Sequence, residues 1–518
     1  MIKDFLKLAA FPMPFLLALY NSNSDLAVPF SLIRPSIIML LLTGSITLLG
    51  NIILSKKDIR DVFMRLFLVF IFFYGHFQQL INPIQRYPLL YRSSTMTFIS
   101  YIGIFLIVAV ILSASKQKWK IITITDHATM LLLVFHMYVF GTTIMNADKQ
   151  DRIYTSTTVN VSKTNINHAL IKPDIYLLLM DGYARADILK SLYDYDNTEF
   201  TDSLADMGFY VASSSASNYV QTYLTVSSML NLDYLDLKKL HIDPLREDRE
   251  PLKDLIRHNI VTNILNEAGY ALVIYGSGWL GSDILKSIPT AKLYTNEINE
   301  FELAFLNTTI VLSLTGSNTP YAIHRTRIKR IFEEIPLVAE DTRSTFLYAH
   351  IVSPHPPFVF TQNGSLVKQD RKFSYDDPGL IHQAGFSKEK YRVLYKNQLI
   401  YINSLVKHAV KEIISRSKEP PIIIIMSDHG PATEFSFGGS SDIGLKERFS
   451  ILNAYYFPDQ MYNDLKISIS PVNTFRIIFS QYFGFPFDSI EDKFRYYSEW
   501  ETPYRFEDVT KRYEQTNY

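Results

Sequence analysis

Four apolar windows in the first 145 residues limit what this chain can fold into more than any other feature. They cover residues 35–54, 62–80, 97–114 and 127–145. A helix that crosses a bilayer needs about 20 mostly apolar residues, so each window predicts a membrane-spanning helix. A fifth stretch, 5–20, is shorter and contains Lys7, Pro12 and Pro14. It predicts either a fifth span or a buried or re-entrant segment, and not a cleavable signal, because no small-residue cleavage site follows it.

Basic residues in the connecting loops predict the orientation of these helices. They cluster between the second and third segments and between the fourth and fifth, at Lys56, Lys57, Arg60, Arg65, Lys116, Lys118 and Lys120. The alternate loops hold only Arg34, Arg86 and Arg92. Short loops rich in Lys and Arg stay in the cytoplasm. The last span is therefore expected to run outward, which places everything after Met145 outside the cytoplasm.

Beyond the apolar windows the composition changes. The first 145 residues hold twelve Lys/Arg and five acidic residues out of 51 of each, which leaves 39 basic and 46 acidic residues for the rest. A mildly acidic region argues against nucleic acid as a partner, because binding it depends on Lys and Arg. Residues 146–172 are rich in Ser, Thr and Asn and predict a linker. We therefore expect a membrane domain of about five helices over 1–145, this linker, and an extracytoplasmic domain over 173–518.

The C-terminal domain has the pattern of an α/β fold. Short apolar runs at 175–180, 271–275, 345–351 and 422–426 predict buried parallel strands. Between the last two, residues 391–415 carry apolar side chains at steps of three and four, which is typical of a helix packed on a sheet. Alternating strands and helices predict a mostly parallel central sheet covered by helices. Ligands of such sheets bind beyond the carboxyl ends of the strands.

Two of the predicted strands are followed by residues that bind metals. Asp181 and Gly182 follow the first strand, and Asp428, His429 and Gly430 follow the last. Asp followed by Gly is also an ordinary turn signal, so either motif alone indicates little. Carboxylate and imidazole ligands at one edge of a sheet suit Zn²⁺ or Mn²⁺.

A hydroxyl-rich loop at 217–230 leads into an apolar helix and offers a candidate nucleophile. Thr222 or Thr225 could simply cap that helix. Alternatively, one of these hydroxyls points at the metal, where a divalent cation would lower its pKa and activate it as a nucleophile. Two histidines, His350 and His355, lie in or just after another strand, the second in a proline-stiffened loop. Their position favours a functional role over that of surface histidines.

Taken in order, the Asp-Gly turn, the threonine, the Ser-Pro-His-Pro loop and the final Asp-His-Gly resemble the alkaline phosphatase superfamily. The nearest branch is the sulfatase-like hydrolase/transferase group, whose lipoteichoic-acid synthases and phosphoethanolamine transferases also place such a domain after about five membrane helices. The resemblance implies four metal ligands: Asp181, Thr222, Asp428 and His429. Thr222, which opens the helix in the register of the relatives, is expected to be the nucleophile in preference to Thr225.

The same resemblance assigns His350 and His355 to the substrate side, where they bind phosphate or protonate a leaving oxygen. Arg185, Asn218 and Arg448 are the further residues that we expect to bind substrate. The chain has no cysteine and no Cys/Ser-x-Pro-x-Arg motif at Thr222, so formylglycine chemistry of the true sulfatases is disfavoured. The expected cofactor is a divalent metal ion, Zn²⁺ or Mn²⁺.

The function expected on these grounds is transfer of a lipid-derived phospho head group to a glycan or lipid acceptor. A membrane lipid such as phosphatidylethanolamine or phosphatidylglycerol would be the donor. Hydrolysis by a phosphodiesterase or phosphatase stays open, as does a sulfuric ester hydrolase of the same fold. A non-catalytic membrane protein that binds a glycan or partner is a further alternative. A transporter is another, for which His76 and His136 would be the intramembrane site.

Overall fold

The computed structural model describes residues 2–23, 29–81, 94–154, 172–279, 291–294, 298–315, 318–369, 373–377, 379–382 and 386–516. The chain divides into two compact units. The first comprises Met1–Gln150 together with Ile298–Pro320, and the second comprises Asp151–Glu297 and Tyr321–Tyr518. Segment 298–320 is thus grouped with the helical unit, whereas the predicted C-terminal domain runs without a break over 173–518.

The elements are numbered in chain order. The helices are α1 Ile2–Ala10, α2 Met13–Asn21, α3 Ile33–Ile53, α4 Lys57–Phe72, α5 Tyr74–Ile81, α6 Ser94–Ala114, α7 Lys118–Tyr154, α8 Ala186–Tyr193, α9 Thr198–Asp206, α10 Thr222–Leu230, α11 Glu250–Arg257, α12 Ile260–Glu267, α13 Glu300–Thr308, α14 Val311–Thr315, α15 Thr319–Glu334, α16 Lys388–Arg416, α17 Asp442–Phe449, α18 Pro471–Phe483 and α19 Thr510–Gln515. The strands are β1 Ile175–Met180, β2 Tyr210–Val211, β3 Ala271–Tyr275, β4 Ala291–Tyr294, β5 Thr345–Ile351, β6 Ile422–Met426, β7 Asn453–Tyr456, β8 Arg495–Tyr496 and β9 Glu507–Asp508.

In the first unit, two of the described helical segments are long and apolar enough to cross a membrane, Pro29–Ile53 and Lys118–Met145. The predicted span 62–80 is divided into α4 and α5 at Phe73. α7 continues to Tyr154, so the predicted linker is helical over its first residues. This corrects the expectation of a linker that starts at 146. The rest of it, 155–171, lies outside the described residues.

Segment 298–320 packs among the helices of the first unit through specific contacts. Nε of Arg34 lies 2.7 Å from Oε1 of Glu302, on α13. Gly75 of α5 is closely approached, because a Cβ there would lie 2.0 Å from the carbonyl oxygen of Asn307. A side chain at residue 75 would therefore force the α13 backbone away. α13 is thus built into the helical unit, and no sequence pattern marks this because its apolar residues look like those of any α/β helix.

The second unit is built on a seven-stranded sheet in the order β2-β7-β6-β1-β5-β3-β4. The pairs β6-β1, β1-β5, β5-β3 and β3-β4 are parallel, and β7 runs antiparallel to β6 and to β2. All four predicted strands are present, and the predicted fold class, a mostly parallel sheet covered by helices, is confirmed. Alternate residues of β1 enter different hydrophobic clusters, which shows that both faces of the sheet are covered.

Candidate active site

Three neighbouring strands of the sheet deliver the candidate ligands to one edge. β1 lies between β5 and β6, and all three run parallel. Asp181 follows β1 directly, Asp428 comes two residues after the end of β6, and His350 is the second-last residue of β5. Because the carboxyl ends of parallel strands meet at one edge, residues far apart in the chain become neighbours here.

The glycine after Asp181 permits a close backbone approach. Gly182 has φ of 70°, and a Cβ at this position would lie 3.2 Å from Cβ of His355. The backbone N–H of His355 donates to the carbonyl oxygen of Asp181 at 2.9 Å. The Asp-Gly pair is therefore a turn, as its sequence indicates, and this turn also places the His355 loop beside the carboxylate.

Two buried carboxylate oxygens have no hydrogen-bond donor among the residues that the structure describes. Oδ1 of Asp428 accepts from the backbone N–H of His429 at 3.0 Å and of Gly182 at 3.3 Å. Oδ2 of Asp428 and Oδ1 of Asp181 have no hydrogen-bond partner in the described part of the chain, and each lies 3.5 Å from Nε2 of His429. Buried carboxylate oxygens without a partner are costly. A divalent cation between them would satisfy both, so the residues fit a metal site.

The hydrogen bonds of His429 suit a metal ligand. Its Nδ1 lies 3.0 Å from the carbonyl oxygen of Gly430, and since a carbonyl only accepts, Nδ1 carries the proton. Nε2 then presents its lone pair toward Asp181 and Asp428. Burial, and next the charge of Arg448, lower the pKa of His429. The ring is therefore neutral, which is the form that binds metals.

His350 and His355 also lie close to Asp181. Nε2 of His350 is 3.2 Å from Oδ2 of Asp181. Two groups have ligand atoms all within 4.8 Å of one another: Asp181 with His355 and His429, and Asp181 with His350 and Asp428. Burial would raise the pKa of Asp181, but the neighbouring His355 and the hydrogen bond from His350 outweigh it and hold that pKa well below its usual range. Asp181 is therefore an ionised carboxylate shared by both groups.

Thr222 is the first residue of α10, and it is buried. Its Oγ1 lies 3.4 Å from Nε2 of His429. The amino end of a helix carries a partial positive charge and exposed N–H groups, both of which stabilise negative charge nearby. The hydroxyl is therefore placed where an alkoxide or a phosphoryl group would be stabilised.

Thr225, the alternative nucleophile, is engaged in a different way. Its Oγ1 donates to the carbonyl oxygen of Asp428 at 2.9 Å and lies 3.0 Å from Oγ of Ser217. These bonds tie α10 and the loop before it to the backbone of the Asp-His-Gly turn. The Thr225 hydroxyl thus has a structural role one helical turn away from the cluster.

Of the three further residues predicted to bind substrate, Arg448 reaches the cluster. Its Nη2 lies 3.2 Å from Nε2 of His429. Nε donates to the carbonyl oxygen of Val220 at 2.9 Å, and Nη1 donates to that of Gly430 at 2.8 Å. The guanidinium is buried and held in one plane, with Nη2 as the nitrogen nearest the candidate ligands.

Arg185 and Asn218 have structural contacts instead. Arg185 forms a two-point pair with Asp187, with both distances 2.7 Å, and donates to the carbonyl oxygen of Ser215 at 2.7 Å. The Asn218 side chain accepts from the backbone N–H of Val472 at 3.0 Å and donates to Tyr234. None of the hydrogen bonds described for these two residues reaches the metal-ligand cluster. That these two residues bind substrate therefore stays a prediction.

Two buried residues near the cluster were not identified from the sequence. Oδ2 of Asp377 accepts from Nη1 of Arg448 at 2.8 Å and lies 4.0 Å from Nε2 of His355. His324, on α15, lies with Nε2 3.1 Å from the carbonyl oxygen of Val352. Burial, and next the charge of Arg327, lower the pKa of His324 to about 3. Both residues come from segments without a strand-end motif, so no local pattern marked them.

A comparison with known families identifies the family of the chain. The sequence model of the family described as Sulfatase matches residues 173–466. That range covers β1 to β7 and includes every candidate residue described above. The predicted resemblance is confirmed at the level of the family. No curated protein matches the chain.

Solved structures resemble the chain only remotely. The C-terminal periplasmic domain of EcEptC from Escherichia coli, in complex with Zn, is 13% identical, with a TM-score of 0.41, and the match covers 63% of this chain and 90% of that one. Lipooligosaccharide phosphoethanolamine transferase A from Neisseria meningitidis is 10% identical, with a TM-score of 0.38 and coverage of 92% and 94%. Phosphonate monoester hydrolase of Agrobacterium radiobacter is 11% identical, with a TM-score of 0.38 and coverage of 62% and 80%. Similarities this remote carry no information about the substrate.

Proposed function

Since the chain belongs to the sulfatase family, we propose that it is a membrane-anchored, metal-dependent enzyme that transfers a phospho group through Thr222. The observation that carries the proposal is the position of one hydroxyl. Oγ1 of Thr222 lies 3.4 Å from Nε2 of His429, which is 3.5 Å from two carboxylate oxygens without a hydrogen-bond partner among the described residues. A nucleophile and its metal ligands would occupy such positions.

The proposed metal ligands are Asp181, Thr222, Asp428 and His429, with Zn²⁺ or Mn²⁺ as the ion. The formal charges of the two carboxylates balance a divalent cation, which favours its binding in a buried site. When bound, the cation supplies Lewis acidity, which lowers the pKa of a hydroxyl and neutralises charge on phosphoryl oxygens. Zn²⁺ and Mn²⁺ both accept this set of oxygen and nitrogen ligands.

The protein's own residues carry the two half-reactions. In the first, Oγ1 of Thr222 bonds to phosphorus while the bond from phosphorus to the leaving oxygen breaks, and that oxygen takes up the proton lost by the hydroxyl. His350 and His355 are placed to bind the phosphoryl group or to carry this proton. In the second, the oxygen of an acceptor attacks the phospho-threonine, loses its proton and restores the Thr222 hydroxyl.

The donor and acceptor are proposed from the membrane unit. In the apolar windows of Lys118–Met145 and Pro29–Ile53, 6% and 22% of the window are buried inside the protein. Most of their side chains are therefore exposed, as expected if lipid covers them. We propose a multi-pass membrane protein with its second unit outside the cytoplasm. A phospholipid would then be the donor, and a glycan or a second lipid the acceptor. Hydrolysis differs only in that water replaces the acceptor.

The test is turnover of bis(p-nitrophenyl) phosphate by the purified full chain in detergent, with Zn²⁺ or Mn²⁺ added. The full chain is needed because segment 298–320 packs in the helical unit and would lose its partners in a fragment that starts at Lys172. Turnover that is abolished by a strong chelator and restored by the ion supports the proposal. Turnover that the chelator leaves unchanged overturns the metal assignment, and turnover of p-nitrophenyl sulfate alone makes the chain a sulfuric ester hydrolase.

Transfer and hydrolysis are separated in membranes. Vesicles that contain the full chain and a phospholipid labelled in its head group should yield labelled glycan or lipid if the enzyme is a transferase. Release of the label as a water-soluble product, with no labelled acceptor, would identify a hydrolase. A chain that binds metal but turns over neither ester would be the inactive binding protein.

A further inference from the structure

Asp377 joins three elements that surround the candidate site. Its Oδ2 accepts from Nη1 of Arg448 at 2.8 Å, and its Oδ1 accepts from the hydroxyl of Tyr391 at 2.5 Å. Nε2 of His355 lies 4.0 Å from the same Oδ2. Asp377 is 2% exposed, and Arg448 and Tyr391 are buried as well. The carboxylate is thus a buried link between α17, α16 and the His355 loop.

The contacts on Arg448 define which of its nitrogens faces the cluster. Nε donates to the carbonyl oxygen of Val220. Nη1 donates to Oδ2 of Asp377 and to the carbonyl oxygen of Gly430. A guanidinium is planar, so fixing Nε and Nη1 fixes the whole group. Nη2, 3.2 Å from Nε2 of His429, is the nitrogen left to face the ligand cluster.

Asp377 is the charged member of this set. The other two acceptors are neutral carbonyl oxygens, which orient the guanidinium but supply no negative charge. A buried guanidinium without a counter-ion is strongly destabilised, so removal of the carboxylate would let Arg448 turn toward another anion. Two such anions are Asp181 and Asp428, the proposed metal ligands, whose carboxylate oxygens lie 3.5 Å from the Nε2 of His429 that Nη2 approaches to 3.2 Å.

We propose that Asp377 is a positioning residue of the phospho-transfer reaction. It keeps the Arg448 guanidinium off the metal-ligand carboxylates and holds Nη2 where it can donate to a phosphoryl oxygen of the substrate. A charged donor that is already oriented at that position binds the phosphoryl group without a further loss of conformational entropy. The inference rests on the proposed function, because it acts on the substrate that this function names.

The test is a double-mutant cycle on the full chain in detergent, loaded with Zn²⁺ or Mn²⁺ and supplied with bis(p-nitrophenyl) phosphate. Asp377→Asn keeps the shape and removes the charge, and Arg448→Gln removes the guanidinium. Each single variant should raise KM about 10-fold, with a smaller fall in kcat. If Asp377 acts through Arg448, the double variant should be no worse than Arg448→Gln alone. Effects that multiply would overturn the proposal.

A milder variant covers the case in which Asp377→Asn fails to fold. Tyr391→Phe removes one donor to Asp377 and keeps the ring, and it should raise KM about two- to threefold while kcat and the bound metal stay unchanged. The matched control is Glu434→Gln, since Glu434 pairs with Lys388 and Arg392 at 2.7 Å but has no described contact with Arg448. This control should leave KM unchanged.

The outcomes separate this inference from the function it rests on. A wild-type chain that turns over no phosphoester ends the proposed function. A wild-type chain that is active, with Asp377→Asn and Tyr391→Phe both at wild-type KM, ends the positioning role alone. An equal rise in KM in Glu434→Gln would mean that KM responds generally to lost ion pairs. That result also overturns the positioning role.

Discussion

The hydroxyl oxygen of Thr222 and Nε2 of His429 lie 3.4 Å apart, at the start of a buried helix and at the end of the central sheet. Thr222→Ala should therefore lower turnover of a phosphodiester by about 10³-fold or more, because the nucleophile is lost. The other three proposed ligands remain, so most of the metal should stay bound, and Tm should stay near that of the wild type. Steady-state kinetics and metal analysis on the same preparations check this.

Thr225→Val is the control for that variant. It removes the hydroxyl that donates to the carbonyl oxygen of Asp428, so it should cost about 1 kcal/mol of folding stability and keep turnover. If Thr225→Val lost turnover and Thr222→Ala kept full activity, Thr225 and not Thr222 would be the nucleophile.

Asp428→Asn should abolish metal binding while preserving the fold. An asparagine keeps Oδ1, which accepts from the backbone of His429 and Gly182, and replaces Oδ2, which has no hydrogen-bond partner among the residues described. For the wild type, Zn²⁺ at a hundred times its Kd should stabilise the fold by about 2.7 kcal/mol. Thermal melts with and without the ion should show this shift in the wild type and not in the variant. An equal shift in both would place the metal elsewhere.

Arg185→Lys should lower stability and leave substrate binding unchanged. The lysine loses the two-point pair with Asp187 and the bond to the carbonyl oxygen of Ser215, which should cost about 1–3 kcal/mol. Chemical denaturation measures the loss, and KM of the folded enzyme should equal that of the wild type. A 10-fold rise in KM at unchanged stability would instead support the substrate role expected from the sequence.

The stability of the second unit should fall as the pH rises from about 4 to about 6, through Asp174. Burial raises the pKa of Asp174 from 3.8 to about 6, so the folded state holds a proton that the unfolded state has already released. The stabilisation is complete at low pH and is lost as the pH passes through the folded-state value. Asp174→Asn should remove this dependence in melts at pH 4 to 7 and keep turnover, since Asp174 precedes β1 at the opposite edge from the site. An unchanged pH dependence in the variant would contradict it.

The proposed orientation can be tested with single cysteines, since the chain has none of its own. Lys239→Cys, exposed in the second unit, should react with a membrane-impermeant maleimide on intact cells. Lys116→Cys, in a basic loop predicted to be cytoplasmic, should react only after the membrane is permeabilised. The reverse pattern would invert the topology.

The fold and the centre of the site could be predicted because their signals are local. A run such as Ile175–Met180 is apolar throughout only if both faces of the strand are covered, and a polar residue directly after it must lie at the sheet edge. Asp181 and Asp428 follow from this rule. The choice of Thr222 over Thr225 came from the register of the relatives, because the residues alone left both open.

What could not be predicted depends on contacts between distant segments. Asp377 has its role only because Arg448 and Tyr391 approach it in the fold. Arg185 follows the same strand as Asp181, yet its guanidinium is bonded elsewhere. It donates to the carboxylate of Asp187 and to the carbonyl oxygen of Ser215. The membership of 298–320 in the helical unit has the same origin. The backbone of this segment approaches Gly75, which lies more than two hundred residues earlier and has no Cβ.

The central strand of the sheet is contributed first and its neighbour β6 last among the parallel strands. A chain that leaves the ribosome from its amino end therefore carries Asp181 for some time before Asp428 and His429 have been synthesised. Of the four proposed ligands, such a nascent chain holds only Asp181 and Thr222. If these residues bind a metal, we expect its capture to follow the folding of β6 against β1.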